Sequence, residues 1–309
     1  MKSYKKTHSF SFITDFVGNF IARLLHWYPF IKGRSKITQI YGRRFQLTNG
    51  RVSRLFNGNK IELHPRQFVS QNIFLFGVFE PQEAKWFYRT VKTGMTIIDV
   101  GANIGQYTLL AADRVKDSGK VISFEPAQEN FEILQRNVHL NKFDDRVKII
   151  KSAVGSTIGT CEFVLTSDGG SNFISQNSSN GSMSKRVIVP CLTLDSFISC
   201  QNFEKIDLIK IDAEGADFEV IKGARKMLEK YHPILFVEFA ERVLKKFETT
   251  PREMLNFLQQ LGYEAHIFNR RGLTPLRNED DISNCNICLF YNVRRSLPLQ
   301  RSSEKSRFE

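Results

Sequence analysis

The chain has 309 residues, 41% of them hydrophobic and 25% charged, a balance that supports a packed core and excludes global disorder. Its net charge of +12 favours acidic partners such as nucleic acid, anionic lipid or phosphorylated compounds, yet the basic residues gather near the ends, in "KKTH", "KGRSK", "YGRR" and "RRSLPLQR". No apolar run approaches the roughly 18 residues that a membrane-spanning helix needs, so none is expected.

Residues 1–10 are polar and basic and are expected to fray. From Phe12 to Tyr28 the apolar positions recur at helical spacing on one face, and Pro29 ends the pattern. Asp15, Asn19 and Arg23 interrupt the apolar part, so it makes a poor signal peptide. The apolar face packs on the body of the protein or, with Trp27 at one end and basic flanks, lies on a membrane surface or a partner. Residues 36–80 read as rich in strands and turns, with one hairpin around Asn49-Gly50 in "RFQLTNGRVSRLF" and a second in "LFNGNKIEL". "EPQEAKWFYRTV" reads as a helix with Pro81 in its first turn, stopped before Gly94.

From residue 96 strands and helices alternate. The strands are "TIIDV", "KVISFEP", "VKIIKSAV", "IDLIKID" and "PILFVEF"; the helices are "GQYTLLAADRV", "ENFEILQRNVHLN", "DFEVIKGARKMLEKY" and "TPREMLNFLQQLG". Repeated β-α units predict a parallel sheet covered on both faces. "YEAHIFN" and "NICLFYNV" close the series with no helix between them, so they are expected to pair antiparallel at the sheet edge. Residues 155–191 break the order with a strand, a Gly/Ser/Asn-rich loop and a second strand; the loop, 166–186, is a candidate lid. Residues 294–309 read as a disordered basic tail.

Cysteines number five, an odd count that points to reduced thiols and a cytoplasmic setting. Cys285 and Cys288 form a C-x-x-C without a second ligand pair, and read as part of a C-terminal strand rather than a zinc site.

Three stretches carry chemistry. In "TIIDVGANIGQYTLLAA" a strand runs into Gly101 and Gly105 and then into a helix start, a turn that offers free backbone N–H groups and lets a ligand approach the main chain. The tight G-x-G of dinucleotide folds is missing, and Asp99 closes the strand; a carboxylate there disfavours a pyrophosphate and suits a cation, such as the sulfonium and ammonium groups of S-adenosylmethionine. Glu125 ends the next strand, where an acid accepts hydrogen bonds from both hydroxyls of a ribose. Ser152, Ala153 and Val154 would sit against the adenine. In "LIKIDAEGADFEVIKGA", Asp212 and Glu214 emerge at a strand end, and Glu238 does so in "LFVEF". Three carboxylates at neighbouring strand ends are costly unless they serve something: a divalent ion such as Mg2+ held by Asp212 and Glu238, or a general base for a substrate hydroxyl. The bland alternative is that they cap helices and pair with lysines such as Lys210.

"IDVGANIGQYTLLAA", "VISFEPAQENFEILQRNVHLN", "LTLDSF", "IDLIKIDAEGADFEVIKGA" and "PILFVEF", in that order, together with the upstream "GVFEPQEAKWF", resemble the FkbM family of S-adenosylmethionine-dependent methyltransferases over about residues 75–292. The family more often has Val and Glu where this chain has Ala213 and Asp217. The resemblance implies a class I methyltransferase fold: an α/β, Rossmann-like, doubly wound sheet of seven mostly parallel strands with an antiparallel edge. It divides the chain into an N-terminal extension of helix and β-hairpin, 1–75, a methyltransferase domain, 76–293, and the tail. It implies O-methylation of a hydroxyl on a sugar, glycan or natural product. Asp99, Gly101, Asn103 and Gly105 would hold the methionine part, Glu125 the ribose, and Asp212, Glu214 and Glu238 would face the acceptor.

Two rival readings remain. Nucleic-acid methylation is motivated by the charge, but no Asx-Pro-Pro-aromatic stretch follows the fourth strand, and Pro190-Cys191 lacks the context of a cytosine-attacking pair. A non-catalytic membrane-surface protein is motivated by residues 12–28, and opposed by the intact set Asp99, Gly101, Gly105 and Glu125.

Overall fold

A computed structural model describes residues 25, 33–44, 47, 50–166, 173–174, 185–269, 272–277, 282 and 287–292. The proposed helix at 12–28, apart from Leu25, most of the candidate lid, Asn49 and the tail lie outside these residues.

The described chain begins with helix α1 (Arg34–Arg44), the hairpin β1 (Val52–Arg54) and β2 (Lys60–Glu62), then helices α2 (Phe68–Phe76) and α3 (Pro81–Thr90). The Gly58 turn joins β1 to β2, as "LFNGNKIEL" suggests. The expectation of a strand-rich 36–80 is corrected by α1 and α2. Helix α2 is buried from Ser70 to Phe76, its polar residues Ser70, Gln71 and Asn72 included, so no exposed polar face betrays a helical period. Tyr41 of α1 lies against Phe74, and Thr38 donates to Asn72.

The remaining elements are β3 (Thr96–Val100), α4 (Gln106–Val115), β4 (Lys120–Phe124), α5 (Gln128–Leu140), β5 (Val147–Ile150), β6 (Ala153–Val154), β7 (Gly159–Leu165), β8 (Phe173–Ile174) and β9 (Lys185–Leu192). They continue with α6 (Leu194–Ser199), β10 (Leu208–Ile211), α7 (Asp217–Lys222), α8 (Arg225–Tyr231), β11 (Ile234–Glu238), α9 (Glu241–Leu244), α10 (Pro251–Gln260), β12 (Tyr263–Asn269), β13 (Gly272–Pro275) and β14 (Ile287–Asn292).

The main sheet runs β13-β12-β14-β11-β10-β3-β4-β5. From β5 to β11 all neighbours are parallel; β14, β12 and β13 pair antiparallel at the edge. Seven of these strands are those expected, and the short β13 adds an eighth by folding back on β12. In chain order the seven take positions 3-2-1-4-5-7-6, the class I methyltransferase topology, with the order reversing between β3 and β10. Ile97 and Ile98 face opposite sides and both are fully buried, as a parallel strand between helix layers requires. The core is accordingly double, with Phe87, Leu109, Leu134 and Phe236 on one face and Ile209, Ile221, Leu228 and Leu255 on the other. Each such side chain contributes about 1.5–3 kcal/mol of burial.

Two expected elements are broken. "VKIIKSAV" leaves the main sheet after Ile150, and Ala153-Val154 join a second sheet, β6-β9-β7-β8, which forms one wall of the site. The helix after β10 divides at Gly223, where a Cβ would stand 2.0 Å from the carbonyl oxygen of Gly155. Asp195 completes the break by accepting from the backbone N–H groups of Lys226 and Met227 at the start of α8, 3.0 and 2.8 Å away. Cys288 falls on β14, while Cys285 lies outside the described residues. No described helix is long and apolar enough to cross a membrane.

Candidate active site

The reversal of strand order opens the sheet between β3 and β10, at the carboxyl ends where ligands bind in open α/β folds. A cleft of about 570 Å³, open to solvent, lies there. Gly101, Asn103, Glu125, Ser152, Ala153, Asp212 and Glu214 all line it, which brings together seven of the residues expected from the sequence.

Gly101 has φ +75°, and a Cβ on it would meet the carbonyl oxygen of Asp212 at 1.9 Å. Only glycine lets β3 turn this close to the chain leaving β10. Asn103 also takes a left-handed conformation, φ +53°. Its backbone N–H donates to Glu125 Oε2 at 2.8 Å, and its side-chain oxygen accepts from Ile104 N at 2.7 Å. Glu125 accepts a second bond from Ala127 N at 2.9 Å, and is joined to Asn130, which Gln67 Nε2 holds at 2.7 Å. Burial still raises the Glu125 carboxyl to about 7. The opposite wall is apolar, built from Val154, Phe163 and Ile174. Ser152 is buried, its hydroxyl donating to the carbonyls of Ala153 and Pro190, so it shapes the wall rather than presenting a free donor.

Two cofactor residues need correction. Asp99 is fully buried beneath the cleft and does not line it. The cation expected beside it is the protein's own: Lys210 Nζ stands 3.9 Å from Asp99 and 3.1 Å from Asp212. Thr108 donates to the second Asp99 oxygen at 2.6 Å. Gly105 likewise stays outside the lining and caps α4, where a Cβ would strike Leu134 at 2.5 Å.

The carboxylates at the strand ends divide between two spaces. Asp212 and Glu214 line the main cleft, whereas Glu238 lines a second, shallow one open to solvent, with Glu80, Lys210, Asp212 and Phe236. Asp212 thus belongs to both. Burial, with Asp212, Asp217, Glu214 and Glu80 around it, pushes the Glu238 carboxyl up to about 10. The expected metal site is corrected too. Among the described residues no three Asp, Glu, His or Cys side chains converge as an ion would require, and Lys210 already supplies the positive charge.

Lys210, named from the sequence as a lysine that the strand-end carboxylates could pair with, does pair with Asp212. Sequence reasoning missed two residues here. Asp217 shapes the 212–216 turn, accepting from Ala213 N and Gly215 N at 2.9 and 3.0 Å; there Glu214 has φ +52°. Glu80 lay in the motif "GVFEPQEAKWF" but read only as a helix start.

The profile of the Methyltransferase FkbM domain matches residues 99–265, more than half of the chain. The chain belongs to the FkbM methyltransferase family. Its relatives include Methyltransferase sdnD of Sordaria araneosa, 29% identical over 41% of this chain and 59% of that protein. Methyltransferase 1 of Beauveria bassiana (strain ARSEF 2860) is 26% identical over 41% of this chain and 57% of that protein. The chain therefore spans less than two thirds of the length of either relative. Among solved structures, methyltransferase FkbM from Methylobacillus flagellatus KT aligns with 72% of this chain and 53% of its own, at 15% identity and a TM-score of 0.40. An O-methyltransferase from Bacillus cereus in complex with SAH aligns with 69% and 82%, at 16% identity and a TM-score of 0.43. For this member of the family, the glycine turn, Glu125 and the Asp212–Glu214 turn all fall within the matched stretch.

Proposed function

We propose that the chain is an S-adenosylmethionine-dependent methyltransferase that methylates a hydroxyl of a sugar, glycan or other small-molecule acceptor. The observation that carries this reading is Glu125, whose carboxylate lines the cleft while Asn103 N and Ala127 N fix it as an acceptor. The residues present suit the cofactor. Glu125 would orient the ribose hydroxyls, and Val154, Phe163 and Ile174 offer an apolar wall for the adenine. Gly101 and Asn103 bring main chain to the cleft, and Asp212 and Glu214 give that end a negative field that favours a cation. When bound, the cofactor supplies an electrophilic methyl group. The chain's part is alignment, exclusion of water and removal of the acceptor's proton.

Carboxylates in both clefts oppose a polyanionic acceptor, which weighs against nucleic acid despite the net charge of +12. Contact of residues 12–28 with a membrane surface belongs to the proposal on their apolar spacing alone; liposome flotation unchanged by deleting residues 1–30 would remove it.

The test is calorimetric titration with S-adenosylmethionine and S-adenosylhomocysteine, each with and without magnesium, on wild type and Glu125→Ala. Micromolar binding lost in the variant and indifferent to magnesium is the expected result. No binding to folded wild type overturns the reading.

A further inference from the structure

The second cleft adjoins the first through Asp212, and its chemistry is unassigned. Its floor is Phe236, packed with Tyr107, Phe87 and Trp86 at centroid distances of 5.6, 5.8 and 6.0 Å. Glu80 forms one wall. It takes a left-handed conformation, φ +50°, immediately before Pro81, at the start of α3. Strain of this kind persists only where the surroundings hold it. They do so from the glycine turn's own helix. Gln106 clamps the preceding residue, donating from Nε2 to Phe79 O at 3.0 Å and accepting from Phe79 N at 2.8 Å. Tyr107, the next residue, donates its hydroxyl to Glu80 Oε2 at 3.3 Å, and Lys210 lies over the Tyr107 ring at 4.8 Å. The Glu80 side chain makes no capping bond to α3. It is therefore spent on the cleft and not on the helix.

We propose that Glu80 takes the proton of the acceptor hydroxyl, and that the second cleft admits uncharged hydroxyl compounds to it. This deepens the methyltransferase reading and rests on it. Of the carboxyl groups lining this cleft, Asp212 is committed to Lys210 at 3.1 Å. Of the other two, Glu80 accepts from the Tyr107 hydroxyl and is raised less, to about 8 against about 10 for Glu238, so it gives up its proton first as pH rises. In the transfer, the acceptor oxygen bonds to the methyl carbon and the carbon–sulfur bond breaks, its electron pair remaining on sulfur. The hydroxyl proton passes to a Glu80 oxygen and then to solvent, leaving a neutral thioether and a methyl ether. Among the lining residues the one cation, Lys210, is already paired with Asp212, so a phosphorylated or carboxylated acceptor finds no free positive partner there. The charged and titratable groups facing Glu80 are Glu83, Arg34, Tyr107, Lys210, Asp212 and Glu238.

Saturation-transfer NMR on protein saturated with S-adenosylhomocysteine tests the acceptor class without turnover, using methyl glucoside, catechol, glucose phosphate and gluconate as probes. Signal on methyl glucoside or catechol, and none on the anions, is expected; signal on the anions, or on no uncharged probe, overturns the assignment. Methyl transfer to the bound probe is then compared in wild type and Glu80→Gln. The expected result is a loss of about a hundredfold or more in rate with unchanged S-adenosylhomocysteine affinity, and a wild-type rate that rises with pH to a plateau. A Glu80→Gln rate within about threefold of wild type, or a bound probe that wild type leaves unmethylated, overturns the proton role. Failure of folded wild type to bind S-adenosylhomocysteine is a separate result, and overturns the reading beneath.

Discussion

The backbone N–H of Asn103 meets the carboxylate of Glu125 at 2.8 Å, joining the glycine turn of one strand to the end of its neighbour. Two parts of the proposed nucleoside site are thereby locked together before any ligand arrives. Glu125→Gln keeps the size of the side chain and removes its charge. A fall in S-adenosylhomocysteine affinity of at least tenfold, about 1.4 kcal/mol, is expected by calorimetry. Ribose hydroxyls donate to a carboxylate, and burial holds this carboxyl at about 7, so binding should strengthen from pH 6 to 8 and then level off. A flat profile would count against Glu125.

Folding stability should move the other way. Glu80 and Glu125 are raised to about 8 and about 7, above the ordinary 4.5, because burial disfavours their charged forms. The folded state then binds more protons than the unfolded chain, and the contribution of these groups is lost as pH rises from about 5 to 8. For Glu125 that amounts to about 3 kcal/mol. Denaturant melts at pH 5 and 8 should show Glu125→Gln gaining on wild type at the higher pH. The opposite trend would sink the argument.

Gly101→Ala places a methyl group on the Asp212 carbonyl, where a Cβ would stand at 1.9 Å. Gly58→Ala is a fitting control, since Gly58 has φ +91° but open space around it. The control should cost about 1 kcal/mol for its backbone conformation alone. Gly101→Ala should cost at least about 3 kcal/mol and abolish binding. Equal melting temperatures for the two variants would show that the close approach is unimportant.

Lys210→Met leaves buried Asp99 and half-buried Asp212 without their cation. A loss of about 3–5 kcal/mol is expected, partly recovered by adding Asp99→Asn. Because Lys210 occupies the place a metal would take, EDTA should leave S-adenosylhomocysteine binding unchanged. A chelator-sensitive affinity would restore the metal reading.

Much of this fold is legible in the sequence because its strands are uniformly apolar and its helices are one-sided, with turns between them. The pattern of "TIIDVGANIG" gave the turn, and the acid after "KVISF" gave Glu125. What escaped was tertiary. Helix α2 is buried nearly all round, so period could not reveal it. Asp99 read as a ligand because the lysine that neutralises it sits on another strand. Glu80 and Glu238 meet only because Gln106 draws the segment before α3 onto the sheet end, a contact that no local pattern encodes.

That clamp separates what marks the family from what selects the acceptor. The matched stretch begins at Asp99 and contains the whole glycine turn, but the Glu80 wall is delivered from upstream of it. Every residue lining the main cleft follows residue 99, whereas one side of the adjoining space comes from before β3. Grafting residues 68–90 between relatives is then a route to exchanging acceptors while the shared cofactor machinery stays in place.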